Sequence, residues 1–451
     1  MKKIVGILSF VLLLNASVAT SDSLTMDEAL DLLKSNNLEI KAAKFDVEKA
    51  KEDIDAVWGK NWGSLTFTQD MARSNDAGNV FGFKLSSREA NFGDFGFAQF
   101  SLTNPNILTV QPTDLNYPGY RNFFQSKLKY EVPLFTGFML SSYTDIMKKM
   151  QEMKSLDKNK IQKQKVYELK KSFYDMALLD SSIKNLNKIL DNINILENTT
   201  KTMIDVGYAK KVDLLEVKAK RGNVERLLVQ MNSNKKLLYH YISFLLNQKV
   251  NHIQTPASEI AMPKMSDEEI LAHNIDLKKA ATGLKITKDM LSASQAAYYP
   301  TLGAFGEVAT ADDTFLGNAN DHKAYTIGAR LSWNLFNGGV DAAKIEKSKI
   351  EKLKMRSQVE LAKKGILLKI AKIRTEIEGV DVQIASLKKE LDLANAIYKN
   401  YEGRYKEKLA SMSDVIIKQS AQIEKILQLQ IAKNKRTEKI LALEKLANGD
   451  D

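Results

Sequence analysis

The sequence contains an internal duplication, and a chain built from two copies of one unit can adopt few folds. Residues 37–41, Asn-Leu-Glu-Ile-Lys, recur as Asn-Ile-Asp-Leu-Lys at 274–278, a shift of 237 positions. Residues 132–137, Val-Pro-Leu-Phe-Thr-Gly, recur as Trp-Asn-Leu-Phe-Asn-Gly at 333–338, a shift of 201. The single change between two constant shifts indicates that the first copy carries an insertion of 36 residues before residue 132.

Each copy has the same predicted order: a helix, a strand, a loop, a second strand, a very long helix, a sharp turn and a returning helix. We therefore expect a signal peptide over 1–19, a first repeat over 20–255 and a second repeat over 256–451. The loop between the strands is long in the first repeat and short in the second. The stretch 251–266 contains two prolines and is the expected connector.

The first nineteen residues have the pattern of a secretory signal peptide. Lys2 and Lys3 precede an apolar run over 4–14, and Ser-Val-Ala at 17–19 offers a cleavage site. A membrane anchor is the alternative, but the apolar run is shorter than the ~20 residues that a span needs. The chain has no cysteine, so export would leave it without disulfides or a lipid-modified cysteine.

Four short segments alternate between apolar and polar residues, as strands with one apolar face do. The clearest is 325–335, where Tyr, Ile, Ala, Leu, Trp and Leu occupy every second position. Its partner 124–134 has the same phase, 65–71 is similar, and 301–310 is the weakest. Such segments of ~10 residues fit a transmembrane barrel. A half-buried soluble sheet fits the pattern too, but the signal peptide and the long helices favour the barrel.

The predicted helices are too long for a globular domain. Residues 145–203 contain neither Pro nor Gly, and apolar residues recur there at steps of three and four. A helix of these 59 residues would be roughly 90 Å long. A second long helix is expected over 341–405, with returning helices over 213–246 and 414–446. Such thin rods must bury their apolar stripes against one another and against other subunits.

One chain supplies only four barrel strands, whereas the smallest bacterial barrels have about eight. Open sheet edges cannot be left in lipid, because their N–H and C=O groups would lack partners. The predicted inner face carries charge at Lys127, Lys129, Glu131 and Arg330, which favours a wet lumen and hence three chains over two. The predicted fold is mainly α with membrane β: long antiparallel coiled-coil helices plus four strands per chain, with a trimer forming a 12-stranded β-barrel and an α-helical barrel.

The order of these segments resembles the TolC family of outer-membrane efflux proteins over essentially the whole mature chain. Residues 24–30 and 37–40 resemble the opening helix of that family, and 299–302 its second hairpin. Residues 333–339 resemble its junction between barrel and helix, and 132–138 do so without the second Gly. The resemblance therefore marks these junction residues: Pro133, Phe135, Gly137, Trp333, Phe336, Gly338 and Gly339.

The resemblance implies an outer-membrane exit duct of a tripartite efflux or type I secretion system that extends into the periplasm. The implied partners are two further copies of the chain, a periplasmic adaptor (membrane fusion) protein, an inner-membrane pump of the RND or ABC type, and outer-membrane lipid. No cofactor, metal or catalytic residue is expected, because the four His are scattered. No nucleic acid is expected despite the net charge of +11, since the Lys residues alternate with Glu and Asp. A periplasmic coiled-coil adaptor or a structural protein without a pore is the alternative.

In the TolC family the tunnel closes at the turns between long and returning helices. Two segments resemble those turns, 207–213 and 408–414, and each ends in an Asp, Asp213 and Asp414. Such an Asp can cap the free N–H groups of the returning helix. The alternative is a ring of three Asp414 carboxylates that concentrates cations.

Four further residues bear on the predicted gate. The first turn keeps Gly207, whereas the second has Lys408 where the family usually has Gly. The resemblance marks Tyr405 as a gate-linking residue. Ile417 is apolar where some members have a second Asp, which argues against a doubly acidic gate.

The insertion in the first copy is rich in Phe, Gly and Asn. It lies between two predicted barrel strands, so we expect it outside the cell or in the barrel mouth. Two interpretations of the insertion remain open. It is either a self-packed surface loop, or a constriction or lipopolysaccharide contact. Its phenylalanines are Phe81, Phe83, Phe92, Phe95, Phe97 and Phe100.

Overall fold

The computed structural model describes residues 23–256, 259–317 and 319–447. The predicted signal peptide lies outside these residues. The chain divides into two compact units, and each takes segments from both halves of the sequence. Unit 1 consists of the described residues of 1–44, 156–278 and 362–451, and unit 2 of those of 45–155 and 279–361.

The described residues form ten α-helices and four strands, joined by turns and short 3-10 helices. The helices are α1 (Met26–Asn36), α2 (Leu38–Gly59), α3 (Ala77–Ser86), α4 (Thr113–Asn116), α5 (Met139–Asp205), α6 (Lys211–Leu246), α7 (Asp267–His273), α8 (Ile275–Gln295), α9 (Val340–Lys406) and α10 (Met412–Ala447). The strands are β1 (Ser64–Ser74), β2 (Arg121–Phe135), β3 (Thr301–Asp312) and β4 (Lys323–Ser332). None of the described helices combines the length and the apolar character that a bilayer span requires.

The expectation of very long helices is confirmed. Helices α5 and α9 each have 67 residues, and the returning helices α6 and α10 each have 36. Helix α9 continues through Gly365, Gly379 and Gly403, although each Gly costs roughly 1 kcal/mol relative to Ala. The apolar stripe of α9 stabilises it, since Ile370, Ile377 and other residues at helical spacing are buried.

Unit 1 is held together by apolar side chains from helices far apart in the sequence. One buried cluster joins α1, α5 and α6, and its largest members include Leu33, Leu169 and Phe173. A second cluster joins α7, α9 and α10 through Ile270, Ile370 and other residues. Burial of each large side chain contributes about 1.5–3 kcal/mol. These clusters therefore stabilise the packing of the helices against one another.

The duplicated Asn-Leu-Glu-Ile-Lys motif ties the start of each copy to its end. Asn37 accepts hydrogen bonds at Oδ1 from the backbone N–H of Ile40 (3.1 Å) and donates from Nδ2 to the carbonyl of Leu245 (2.8 Å). Asn274 donates from Nδ2 to the carbonyl of Leu446 (3.1 Å). Both asparagines are almost fully buried. Each side chain thus caps one helix and binds the end of another.

The four strands form one antiparallel sheet in the order β1-β2-β3-β4. The register places Phe67 opposite Leu128, Leu128 opposite Val308, and Val308 opposite Tyr325. These four apolar residues therefore form a continuous row across one face. Within the described residues, β1 pairs only with β2 and β4 only with β3, so both outer edges of the sheet are open.

Strand β4 is shorter than its alternation predicts. The pattern extends to residue 335, but the strand ends at Ser332, which pairs with Thr301. The residue before Thr301 is Pro300, which has no N–H to donate, and the other side of β4 is an open edge. The equivalent part of β2 remains a strand, because Pro133 and Phe135 pair with β3 across an irregularity in the register.

The insertion is a self-packed loop built around its aromatic residues. It contains α3 and α4, and the rings of Phe81 and Phe95 meet edge-on with centroids 4.9 Å apart. Phe83 stacks on Phe123 of β2 at 4.2 Å, which joins the loop to the end of the sheet. These contacts support the self-packed interpretation for part of the loop, whereas Phe92, Phe97 and Phe100 are each more than half exposed.

We predict that Asn37→Ala and Asn274→Ala each lower the free energy of unfolding by about 1–3 kcal/mol. Each substitution removes a helix cap and leaves a buried carbonyl without its donor. The midpoint of thermal or urea unfolding of the detergent-solubilised protein measures the effect. Ser35→Ala, at an exposed hydroxyl of α1, is the matched control and should change stability by less than about 0.5 kcal/mol. Equal effects for Ser35→Ala and Asn37→Ala would contradict the role of the asparagine.

Candidate functional site

One face of the sheet is polar and is lined by ion pairs. The Nζ of Lys127 lies 3.5 Å from the Oε1 of Glu307 on the neighbouring strand. The Nζ of Lys129 lies 2.8 Å from the Oε1 of Glu131. Arg330 extends over the ring of Phe305, with 6.0 Å between its guanidinium carbon and the ring centroid. A cleft of about 660 Å³ opens on this face between the strands. The charged residues predicted for an inner face therefore do share one face.

The opposite face of the sheet exposes large apolar side chains. Tyr325 and Ile327 are each 79% exposed, and Phe67 is 65% exposed. Leaving such a continuous apolar surface in water is unfavourable by about 25 cal/mol per Å². This face therefore requires lipid or protein beside it.

The weak alternation of β3 has a local explanation. Phe305 lies on the polar face, where a Cβ at Gly328 would come within 2.7 Å of its ring. The aromatic ring thus occupies the space that Gly328 leaves on the adjacent strand. This cross-strand pair places an aromatic residue on the charged face of the sheet. The alternation of apolar and polar residues along β3 is therefore less regular than in the other strands.

The two junctions between strand and long helix use the same backbone conformation. Gly137 (φ +62°) and Phe138 (φ +67°) have left-handed φ values in the first copy, as Gly338 (φ +66°) and Gly339 (φ +84°) do in the second. A bulky residue is rarely found in this region. Phe138 is held there by edge-on contacts with the rings of Phe135 (5.3 Å) and Tyr299 (5.6 Å).

Both junctions contact the residues that precede β3. A Cβ at Gly137 would come within 2.8 Å of the carbonyl oxygen of Ala296. Trp333 donates from its indole N–H to the carbonyl of Tyr298 at 3.3 Å. The predicted junction residues are therefore together in one region of unit 2, although the Phe336 side chain is 85% exposed.

The two helix turns at the end of unit 1 also match each other in backbone conformation. Gly207 has φ +79°, and Lys408 has φ +67° at the equivalent position. The N–H that follows each residue donates back to the helix, from Tyr208 to the carbonyl of Met203 (2.7 Å) and from Leu409 to that of Arg404 (2.7 Å). Lys408 thus adopts the conformation for which Gly is favoured.

Asp213 and Asp414 both act as helix caps. The Asp213 carboxylate accepts from the backbone N–H of Lys210 at 2.8 Å. The Asp414 carboxylate accepts from the backbone N–H of Ser411 at 3.1 Å and from its hydroxyl at 2.6 Å. These two hydrogen bonds from Ser411 hold the pKa of Asp414 below its usual value. Any stability from this lowered pKa is present above the unfolded-state pKa and is lost as the pH falls through the folded-state pKa.

Tyr405 connects the two helical hairpins. Its side chain is buried in an apolar cluster that contains residues of α5, α6, α9 and α10. Its hydroxyl lies 3.4 Å from the Oγ1 of Thr200. At the two turns, the ammonium group of Lys408 lies 3.2 Å from the centroid of the Tyr208 ring. This cation–π contact joins one turn to the other.

Sequence reasoning missed the contact between Lys408 and Tyr208. The only sequence signal was a Lys where Gly was expected, and the position of its partner depends on how the two hairpins pack. The cap role of both aspartates was visible, because each lies in the first turn of a helix that follows a sharp turn.

The whole chain has the fold of solved outer-membrane channels. It superimposes on CusC with a TM-score of 0.77 and 12% identity, covering 94% of this chain and 92% of that one. The likeness to VceC of Vibrio cholerae has a TM-score of 0.74 and 13% identity, covering 94% and 96%. For CmeC of Campylobacter jejuni the TM-score is 0.73 at 13% identity, covering 94% and 87%. No curated protein matches the chain by sequence.

The second half of the chain carries the family signature. Residues 268–449, from α7 to the end of α10, match the family model described as outer membrane efflux protein. This half of the chain therefore matches the outer membrane efflux protein family. The predicted resemblance is thus confirmed, with the helices and the four-stranded sheet of that fold.

The family match gives the two faces of the sheet a context. The matching family model is described as outer membrane efflux protein. The apolar face of the sheet is suited to lipid, and the polar face to a path for solute. The long helices that continue from the strands are part of the fold shared with these solved channels.

We predict that Gly137→Ala is more destabilising than Gly338→Ala. Both substitutions place a side chain at a positive φ, at a cost of about 1–2 kcal/mol. The added Cβ at Gly137 meets the backbone within 2.8 Å, whereas the one at Gly338 meets nothing within 4 Å. The extra overpacking should cost roughly another 1–3 kcal/mol. Thermal unfolding of the two variants in detergent measures the difference, and a larger loss for Gly338→Ala would contradict the geometry.

Proposed function

We propose that three copies of this chain close into one duct that conducts efflux cargo from the periplasm through the outer membrane. The observation that supports this proposal is the open four-stranded sheet. One face is apolar and exposed, the other is polar and clefted, and both edges lack partners among the described residues.

Closure of the sheet by other copies follows from the properties of lipid. Backbone N–H and C=O groups at a sheet edge cannot be left unpaired in a bilayer, since each costs several kcal/mol. Pairing of β4 of one copy with β1 of the next satisfies both edges. Three copies give twelve strands, and their polar faces then surround an aqueous lumen.

The proposed duct performs no chemistry of its own and depends on partners for energy. A periplasmic adaptor protein would bind the helical part, and an inner-membrane pump of the RND or ABC type would deliver the cargo. Deletion of the gene should reduce tolerance to exported compounds, and a plasmid copy should restore it. A strain that keeps normal efflux and secretion after deletion would contradict this function.

We expect the purified mature protein to require detergent and to have the mass of three chains. Light scattering with correction for bound detergent measures the protein mass. A monomer that is soluble in water without detergent would overturn the proposal, because its apolar sheet face and edges would then need no partner.

Asp414 is our candidate for the charged constriction of this duct. In a threefold assembly the three carboxylates form a ring at the turns between α9 and α10, which concentrates cations. The hydrogen bonds from Ser411 lower the pKa of Asp414, which favours the charged carboxylate. Ile417, the next residue on that face of the helix, is 57% exposed and uncharged, so the ring has one layer of carboxylates.

We predict that Asp414→Asn and Asp414→Ala have different effects in planar bilayers. Asn keeps a cap acceptor but removes the charge, so we expect lower cation selectivity with little added leak. Ala removes cap and charge together and should raise the leak conductance severalfold. Asp213→Ala is the matched control for loss of a cap. Cation selectivity that is unchanged in Asp414→Asn would rule out the ring.

A further inference from the structure

Three potential metal ligands converge beside the loops that connect β1 to β2 and β3 to β4. They are Glu89 of the insertion, Asp312 at the end of β3 and His322 just before β4. One ligand atom from each lies within 4.8 Å of the other two. No other group of three such residues occurs in the part of the chain that the structure describes.

The histidine is buried and its tautomer is set by the backbone. His322 is only 9% exposed, and its Nδ1 lies 3.2 Å from the carbonyl oxygen of Ala311. A carbonyl can only accept, so Nδ1 carries the proton and Nε2 keeps its lone pair. Histidines that bind metals commonly donate their second ring N–H to a backbone carbonyl in this way.

The two carboxylates bring negative charge to this buried place. Asp312 is 5% exposed, and like charges so close together are costly unless cations neutralise them. Arg121 forms an ion pair with Glu89 and lies 3.7 Å from Asp313. The Arg121 guanidinium thus contacts two carboxylates, those of Glu89 and Asp313, and the buried Asp312 adds a third carboxylate beside Glu89 and His322. Each carboxylate has two oxygens, so Glu89 can bind Arg121 and a metal together.

We propose that Glu89, Asp312 and His322 form a binding site for a divalent transition metal, with Zn²⁺ as the fitting ion. One imidazole nitrogen and two carboxylate oxygens supply three ligands, and water completes a tetrahedral set. The nitrogen ligand favours Zn²⁺ over Ca²⁺, which takes six to eight oxygen ligands.

The ligands come from three separate segments, so the ion would act as a cross-link. It joins the insertion of the first copy to the hairpin between β3 and β4. Both segments lie between barrel strands, at the mouth of the proposed duct. The metal site assigns a structural role to the insertion that neither the family nor the channel proposal supplies.

The test uses the full mature protein in detergent, treated with a chelator and then titrated with Zn²⁺. Calorimetry should give about one Zn²⁺ per chain. Zn²⁺ should also protect the exposed bond after Arg88, next to Glu89, from trypsin. His322→Ala should weaken Zn²⁺ binding at least about tenfold and abolish the protection.

Three comparisons make the outcome decisive. His240→Ala, at an exposed histidine of α6, should bind Zn²⁺ as the wild type does. Glu89→Gln tests the site independently if His322→Ala fails to fold, and it too should lose the protection. Ca²⁺ at the same concentration should not protect. Absence of Zn²⁺ binding in the wild type, or equal binding by both His322→Ala and Glu89→Gln, would overturn the proposal without affecting the channel function.

Discussion

The open edges of a four-stranded sheet are the constraint from which the rest of this structure follows. A sheet with one exposed apolar face belongs beside lipid, and in lipid every backbone N–H and C=O group needs a partner. Among the residues that the structure describes, one chain supplies four strands and leaves both outer edges open, and in the duct that we propose the partners are other copies. The long helices also need a partner surface, since each buries only part of its apolar side chains within the chain. Under that proposal, insertion into the membrane and assembly of the copies are coupled.

The two halves of the chain reach the same backbone conformations with different residues. Gly207 and Lys408 have equivalent positive φ values, and so do Phe138 and Gly339. Glycine adopts this conformation without strain, whereas the other two residues need compensating contacts. Lys408 has the Tyr208 ring, and Phe138 has Phe135 and Tyr299. At Lys408 and Phe138, side-chain contacts thus take the place of the backbone freedom that Gly207 and Gly339 have.

The insertion shows how a loop gains order without a large core of its own. Its phenylalanines pack on one another and on Phe123. An ion pair of Lys84 with Asp94 lies within the loop, and one of Arg121 with Glu89 ties the loop to the start of β2. The proposed metal site adds a third kind of contact, between this loop and the second half of the chain. Packing, charge and coordination would then act together at the mouth of the duct.

The sequence alone determined the properties that depend on local pattern. Alternation revealed the strands, and helical periodicity revealed the long helices, because residues two, three or four apart share a face wherever the element lies. It also marked Asp213 and Asp414 as caps. Only the tertiary structure decided contacts between distant segments: the carbonyl partners of Asn37 and Asn274, Lys408 over Tyr208, and Glu89 beside His322. It also ended β4 at Ser332, since a strand needs a neighbour as well as a pattern. These features depend on how elements far apart in the chain meet in space, which no local pattern encodes.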